Sequence, residues 1–464
     1  MGRCIYGGIY DPGNAHGLSN ARGYRTDVLQ ALKDLNVPVV RYPGGNFVSS
    51  YRWHDGVGPK NQRPRRPELA WLTEESNQFS TDEFIEWCRL LGAEPYICLN
   101  MGTGTLNVAL GWLEYCSSSA NTHYANMRRA NGHNEPYGVK YWALGNEMWG
   151  PWQVGQMTAE DYAKKAFQWA KALRLLDPTI KLVSNGLRRL GHWDRVTLKT
   201  LAPVVDFHSI HLYTVSKGAH DVNVMGPAAA EKGIGIDKAL IELAQIEGDL
   251  DKDIAVCFNE WNVWDAVRAP GEKGAEEHYD LSDALAVAAW LNVFVRKADV
   301  VKIACIAQSV NVISPIITSP SGLFKQTTYY ALHLFATLMQ GTALAVHVDG
   351  DAYTGPTEPA FVARLAARPR RVRVALLNRH AARAAGVAVH FGPGAAVAAR
   401  VAVHELWSAE LMDRNGFGAE KVATRVRTEA CTGVHKAKAH SFQGVWFMFP
   451  FAAAGGLTVC SARI

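Results

Sequence analysis

The sequence predicts a parallel α/β barrel of the (β/α)8 type followed by a C-terminal β-sandwich. Three patterns carry that prediction. Up to about residue 340, short apolar runs alternate with amphipathic helical segments, as parallel strands covered by helices require. Polar residues recur at the C-terminal ends of successive apolar runs. A barrel gathers that whole rim into one site, whereas a doubly wound sheet uses only its switch point. Beyond Gly341 the alternation becomes two-residue, as over 371–377 and 396–403, and helical spacing stops, which is the pattern of a sandwich. The expected division is a barrel over 1–340 and a sandwich over 341–464.

In chain order, strands are expected over 37–42, 94–100, 139–144, 181–184, 205–211, 254–259 and 301–307. Helices are expected over 81–91, 106–116, 158–176, 193–201, 227–247, 281–297 and 326–339. In the first of these, Phe84, Ile85, Trp87, Cys88 and Leu91 are spaced for one buried side. Thr158 with Asp161 is a capping-box variant. That makes seven strands, one short of a closed barrel. The missing strand should precede Val37, and the only candidate is 4–10, a short segment broken by Gly7 and Gly8. A barrel without it would expose unpaired strand edges.

Of the 464 residues, 48% are hydrophobic and 20% charged, ordinary for a globular protein. There is no signal-peptide pattern and no apolar run long enough to span a membrane. The eight cysteines show no CxxC and no Cys/His ligand spacing, and a reduced, cytoplasmic setting is the simpler reading. The net charge of +5 is uneven, because 15 Lys and Arg face 8 Asp and Glu from Gly341 onward. The arginines there alternate with apolar residues (Arg371-Val372-Arg373-Val374), the pattern of a solvated strand face rather than a nucleic-acid surface.

Two strand ends carry chemistry. The run over 139–144 stops at Gly145 and is followed by Asn146-Glu147, with Trp142, Trp149 and Trp152 close in sequence. A carboxylate among aromatics is partly desolvated, which raises its pKa and suits a general acid. The alternative is a Glu capping the next helix. The run over 254–259 ends at Glu260, flanked by Trp261 and Trp264. Two strand-terminal glutamates in aromatic settings match the need of a glycosidase: one protonates the leaving oxygen, and the other attacks the anomeric carbon or activates water.

With these residues assembled, the chain resembles glycoside hydrolase family 51, the intracellular-type α-L-arabinofuranosidases. The resembling blocks are 2–10, Arg41-Tyr42-Pro43-Gly44-Gly45-Asn46-Phe47, 55–60, Leu144-Gly145-Asn146-Glu147-Met148, Glu260-Trp261-Asn262-Val263-Trp264, 302–305, and Gln308 with 310–313. The resemblance implies a retaining double displacement that requires no metal or cofactor, with Glu147 as acid/base and Glu260 as nucleophile, after barrel strands four and seven. It implies that Asn146 contacts the sugar 2-hydroxyl and that His211 and Tyr213 orient the nucleophile. Asn46 and Gln308 bind hydroxyls in this reading, and Trp71 and Trp264 are aromatic walls. For His211, Tyr213 and Trp71, ordinary packing is the alternative. The implied substrates are arabinose-containing fragments of arabinan or arabinoxylan, and the implied assembly is a homo-hexamer.

Two departures from the family stand out. Members carry a strand ending in Phe-Ile-Glu-His before the block at 2–10, and its Glu binds the sugar; Met1 stands where that segment ends. Asn259 replaces an Asp before the nucleophile, which removes a negative charge and should lower the pKa of Glu260. Two other readings follow: a non-catalytic carbohydrate-binding relative, or a retaining glycosidase of other specificity such as an endo-glucanase.

Overall fold

The computed structural model describes all residues except 1, 188–190, 217, 266–274, 345, 350–360, 369–370, 391–397, 433, 449–459 and 464. Seven parallel strands form one sheet: β1 (Val39–Tyr42), β2 (Glu94–Cys98), β3 (Tyr141–Ala143), β4 (Lys181–Ser184), β5 (Phe207–Thr214), β6 (Ala255–Val263) and β7 (Val301–Ile306). They pair in chain order, and the sheet curls into a nearly closed barrel. Side chains alternate across it. Tyr96, Cys98, Ala143, Val183, Cys257 and Ile303 fill the interior. Ile97, Trp142, Leu182, Phe258 and Trp261 face the surrounding helices.

The helices start where their caps predict. At Thr81–Leu91 Glu83 Oε2 accepts the Ser80 N–H at 2.9 Å, one half of a capping box. At Ala159–Leu176 only half of the expected box is made: Thr158 Oγ1 accepts the Asp161 N–H at 3.2 Å. The sequence pattern missed the short helices His123–Ala130 and His220–Met225. It also missed two hairpins, Arg66–Glu68 with Thr73–Glu75 and Ile316–Ser319 with Gly322–Lys325. Each is too short to show a period.

Among the described residues no strand stands between β1 and β7. The candidate at 4–10 is not one. Gly2–Ile5 is a helical turn, and the chain then folds back so tightly that a Cβ on Gly8 would lie 2.3 Å from the Cys4 carbonyl oxygen. This segment instead ties the start of the chain to the rim beyond β7. Asn311 Nδ2 donates to Arg3 O (2.9 Å), Thr318 Oγ1 to Gly7 O (2.8 Å), and Arg25 to the carbonyls of Ser319 and Gly322.

The C-terminal sandwich pairs a six-stranded and a four-stranded sheet. It seats on the barrel through backbone bonds from Leu281 and Ser282 to Asp413 and Leu411, and through Phe335 stacked on Phe442 at 5.2 Å. Arg373, expected on a solvated face, is buried. Its guanidinium lies 4.8 Å from the Trp446 ring, where a cation finds a favourable electrostatic partner. Part of the 396–403 run, 396–397, lies outside the described residues; the strand there is Arg400–Leu406. No described helix is long and apolar enough to cross a membrane.

Candidate active site

The C-terminal ends of β1, β3, β5 and β6 bring Arg41, Asn146, Glu147, His211, Tyr213 and Glu260 together. Glu260 reaches this cluster through a local irregularity. Between Ser209/His211 of β5 and Cys257/Glu260 of β6 the register shifts, and β7 shows the matching shift. β6 therefore holds one extra residue there, a β-bulge, which re-aims side chains. Strict alternation would send Glu260 outward beside Phe258. The bulge instead turns both Asn259 and Glu260 inward.

Glu260 is buried and fully engaged. Arg41 Nη1 donates to Oε1 at 2.8 Å and Tyr213 OH donates to Oε2 at 2.9 Å. His211 Nδ1 lies 3.5 Å from Oε2. Burial alone would raise the carboxyl pKa. The positive charges of His211 and Arg41 and the two hydrogen bonds outweigh it and hold Glu260 below its ordinary 4.5. Asn259 points into the barrel floor, where its Nδ2 donates to Tyr96 OH at 3.0 Å.

Glu147 sits differently. It lies in the loop after β3, half-buried, with φ at +45°, a left-handed conformation that costs a non-glycine residue about 1 kcal/mol. Gly145, two residues earlier, has φ at +88° and supplies the turn without that penalty. His211 Nδ1 lies 2.9 Å from Glu147 Oε1, and Trp152 Nε1 donates to Oε2 at 3.3 Å. His211 thus stands between both carboxylates. Burial works to lower its pKa, but Glu260 and Glu147 raise it overall. Ligand atoms of Glu147, His211 and Glu260 lie within 4.8 Å of one another, the one such group with metal-ligand spacing among the described residues.

The other expected residues fall at different distances from this centre. Asn146 is held by Arg41 Nη2 (2.5 Å) and donates to Asn46 Oδ1 at 3.5 Å, which brings Asn46 in. Trp264 packs edge-on against Tyr213, ring centres 5.4 Å apart. The Gln308 side chain contacts the Cys4 thiol rather than the glutamates. Trp71 is 60% exposed at the tip of the 66–75 hairpin, its backbone N–H bound to Glu68, and none of the site's polar contacts reaches it. Of the tryptophans close in sequence, Trp142 and Trp261 face the helices, against Trp112 and Trp290, because strand alternation puts them on the outer side.

Comparison with known proteins decides the family. Residues 31–223 match the family model described as "Alpha-L-arabinofuranosidase 1 domain", and residues 259–443 match "Alpha-L-arabinofuranosidase C-terminal domain". The chain is 59% identical over 377 residues to "Probable alpha-L-arabinofuranosidase C" of Aspergillus clavatus, covering 78% of this chain and 74% of that one. It belongs to the α-L-arabinofuranosidases of glycoside hydrolase family 51. It is 37% identical over 369 residues to "Intracellular exo-alpha-(1->5)-L-arabinofuranosidase" of Halalkalibacterium halodurans, covering 76% and 73%. The family 51 arabinofuranosidase structure from Thermotoga petrophila superposes with a TM-score of 0.87 at 37% identity, over 96% of this chain and 94% of that one. This arabinofuranosidase is therefore a glycoside hydrolase with the barrel-and-sandwich architecture of its family.

The sequence reading missed Arg41 and the contact made by Trp152. An arginine inside an otherwise apolar barrel strand is a legible signal, because a buried guanidinium needs a partner. Trp152 carries no such signal; its contact with Glu147 depends on how the loop closes.

Proposed function

We propose that this arabinofuranosidase removes terminal non-reducing α-L-arabinofuranosyl units with retention of configuration. Glu260 attacks the anomeric carbon as Glu147 gives its proton to the departing glycosidic oxygen. Glu147 then takes a proton from water, whose oxygen displaces Glu260 and releases arabinose. The observation that carries this reading is the short separation of the two glutamates around His211, within 4.8 Å between ligand atoms. Retaining glycosidases hold their carboxylates about 5–5.5 Å apart, whereas inverting ones leave about 6.5–9.5 Å for a water. The depressed pKa keeps Glu260 ionised as a nucleophile.

In this proposal Asn146, Asn46 and Gln308 bind sugar hydroxyls, His211 and Tyr213 orient the nucleophile, and Trp264 and Trp71 are aromatic walls of the pocket. Among the described residues the buried nitrogens His211 Nε2 and Trp264 Nε1 have no hydrogen-bond partner, and a hydroxyl-rich ligand supplies partners for such groups. The name of the Halalkalibacterium relative supports α-1,5-linked arabino-oligosaccharides as substrates and an intracellular setting. Seven cysteines, from Cys4 to Cys431, are free thiols and fit a reducing compartment. We extend the proposal to the division near residue 340 and to a homo-hexamer. The test is NMR of the first-formed product from an aryl α-L-arabinofuranoside: α-arabinose before mutarotation is expected. A β product, release only from β-glucan, or sugar binding without turnover would overturn it.

A further inference from the structure

The loop that carries Glu147 is held by groups that no reading of the motifs singles out. Asn185 follows β4 directly and is buried. Its Oδ1 accepts the Met148 N–H at 2.9 Å. Its own N–H donates to Tyr162 OH at 2.8 Å, and its carbonyl accepts from Trp193 Nε1 at 2.8 Å. Tyr162 OH in turn donates to Leu144 O at 2.8 Å, and its ring stacks on Trp193 with centres 5.2 Å apart. Next to Asn185, Gly186 O accepts from Trp149 Nε1 at 3.0 Å, and a Cβ on Gly186 would lie 1.8 Å from Ser209 O. The turn around Glu147 is thus clamped at Leu144 and Met148 by one hub, which two aromatic side chains from successive helices hold rigid.

The clamp matters because the Glu147 backbone is left-handed, a conformation that persists only where its surroundings over-determine it. Releasing the Met148 N–H leaves a buried donor unmet and removes the constraint next to Glu147. A general acid must lie within hydrogen-bond reach of the oxygen it protonates, so a small drift of this turn is felt in proton transfer first.

We propose that Asn185 is a positioning residue for the general acid, acting through the Met148 N–H and supported by Tyr162 and Trp193. This rests on the reading of Glu147 as the acid, and the experiment separates the two. kcat/KM reports only steps up to departure of the aglycone, and a nitrophenolate leaves without a proton whereas methoxide does not. Asn185→Ala is therefore measured on 4-nitrophenyl and on methyl α-L-arabinofuranoside, beside Glu147→Ala. The expected loss for Asn185→Ala is about 10- to 100-fold on the methyl glycoside and less than about threefold on the nitrophenyl one. Asn185→Asp, which keeps the acceptor, should restore the methyl glycoside to within about threefold of wild type. Tyr162→Phe, which loses the bonds to Leu144 and Asn185 but keeps the ring, should show the same selectivity more weakly and serves if Asn185→Ala fails to fold. Equal losses on both substrates in the foldable variants, or none, overturn the proposal. If Glu147→Ala itself shows no selectivity for the methyl glycoside, the acid assignment fails instead.

Discussion

β5 presents a buried histidine on each of its faces, and both stand between two carboxylates. Inside the barrel, His211 lies 2.9 Å from Glu147 and 3.5 Å from Glu260. Behind the strand, His208 Nε2 lies 3.1 Å from Asp194 and 3.8 Å from Asp237, among the helices His192–Leu201 and Ala228–Glu247. In both, burial works to lower the histidine pKa and the acids raise it. The acid–histidine–acid grouping therefore does not make a site by itself. Inside, the acids meet Arg41, Tyr213 and Trp152, and Glu147 keeps an open side. Outside, Asp194 caps backbone N–H groups of Leu187 and Gly191, while among the described residues both oxygens of the fully buried Asp237 lack a hydrogen bond. In the proposed mechanism the inner cluster does the chemistry; the outer one holds the Leu187 and Gly191 N–H groups.

Substitutions can break or sharpen this contrast. The largest effect is expected inside. Glu260→Ala should lower kcat/KM on an aryl arabinofuranoside by at least about 10⁴-fold, measured below the lowered melting temperature that leaving buried Arg41 without its partner produces. Activity retained in that variant would remove Glu260 from the mechanism.

A smaller effect is expected from Arg41→Ala. Arg41 helps to hold Glu260 below its ordinary 4.5, so wild-type kcat/KM should persist to pH values under 4.5 before its acid limb falls. Without Arg41 the limb should move up, read from the pH profile of kcat/KM. The sign for stability agrees. A depressed carboxyl stabilises the fold above its unfolded-state pKa, and that contribution disappears as pH falls through the folded-state value. An acid limb unmoved in Arg41→Ala would mean that His211 and Tyr213 suffice.

The smallest effect on catalysis is expected outside. Burial pushes the Asp237 carboxyl up to about 7, with His208 opposing and Asp194 adding to the rise. A raised carboxyl loses the fold stability as pH climbs from its unfolded-state value, about 3.9, through the folded-state one. Asp237→Asn should therefore raise stability at pH 8, by up to about 4 kcal/mol, and leave it unchanged at pH 4, with kcat/KM near wild type. Denaturant melts at the two pH values check this. Equal stability changes at both would show that Asp237 is ionised throughout.

What the sequence by itself determined is the periodic part of the protein. The strand at Lys181–Ser184 and the helix at Thr81–Leu91 match their expected limits, and the other barrel strands and helices lie close to theirs. Burial of one face imposes a period that any chain must write into its residues. Glu147 and Glu260 were legible for the same reason, as polar breaks at the ends of apolar runs. What only the tertiary structure decided is where period and local pattern are suspended. The bulge in β6 turns Glu260 inward, Asn185, just beyond β4, holds the Met148 N–H next to the left-handed backbone of Glu147, and Arg41 becomes a partner of both Glu260 and Asn146. Tryptophans adjacent in sequence to the glutamates went to opposite sides of the sheet. Each of these depends on contacts between residues far apart in the chain, and no local period records such contacts.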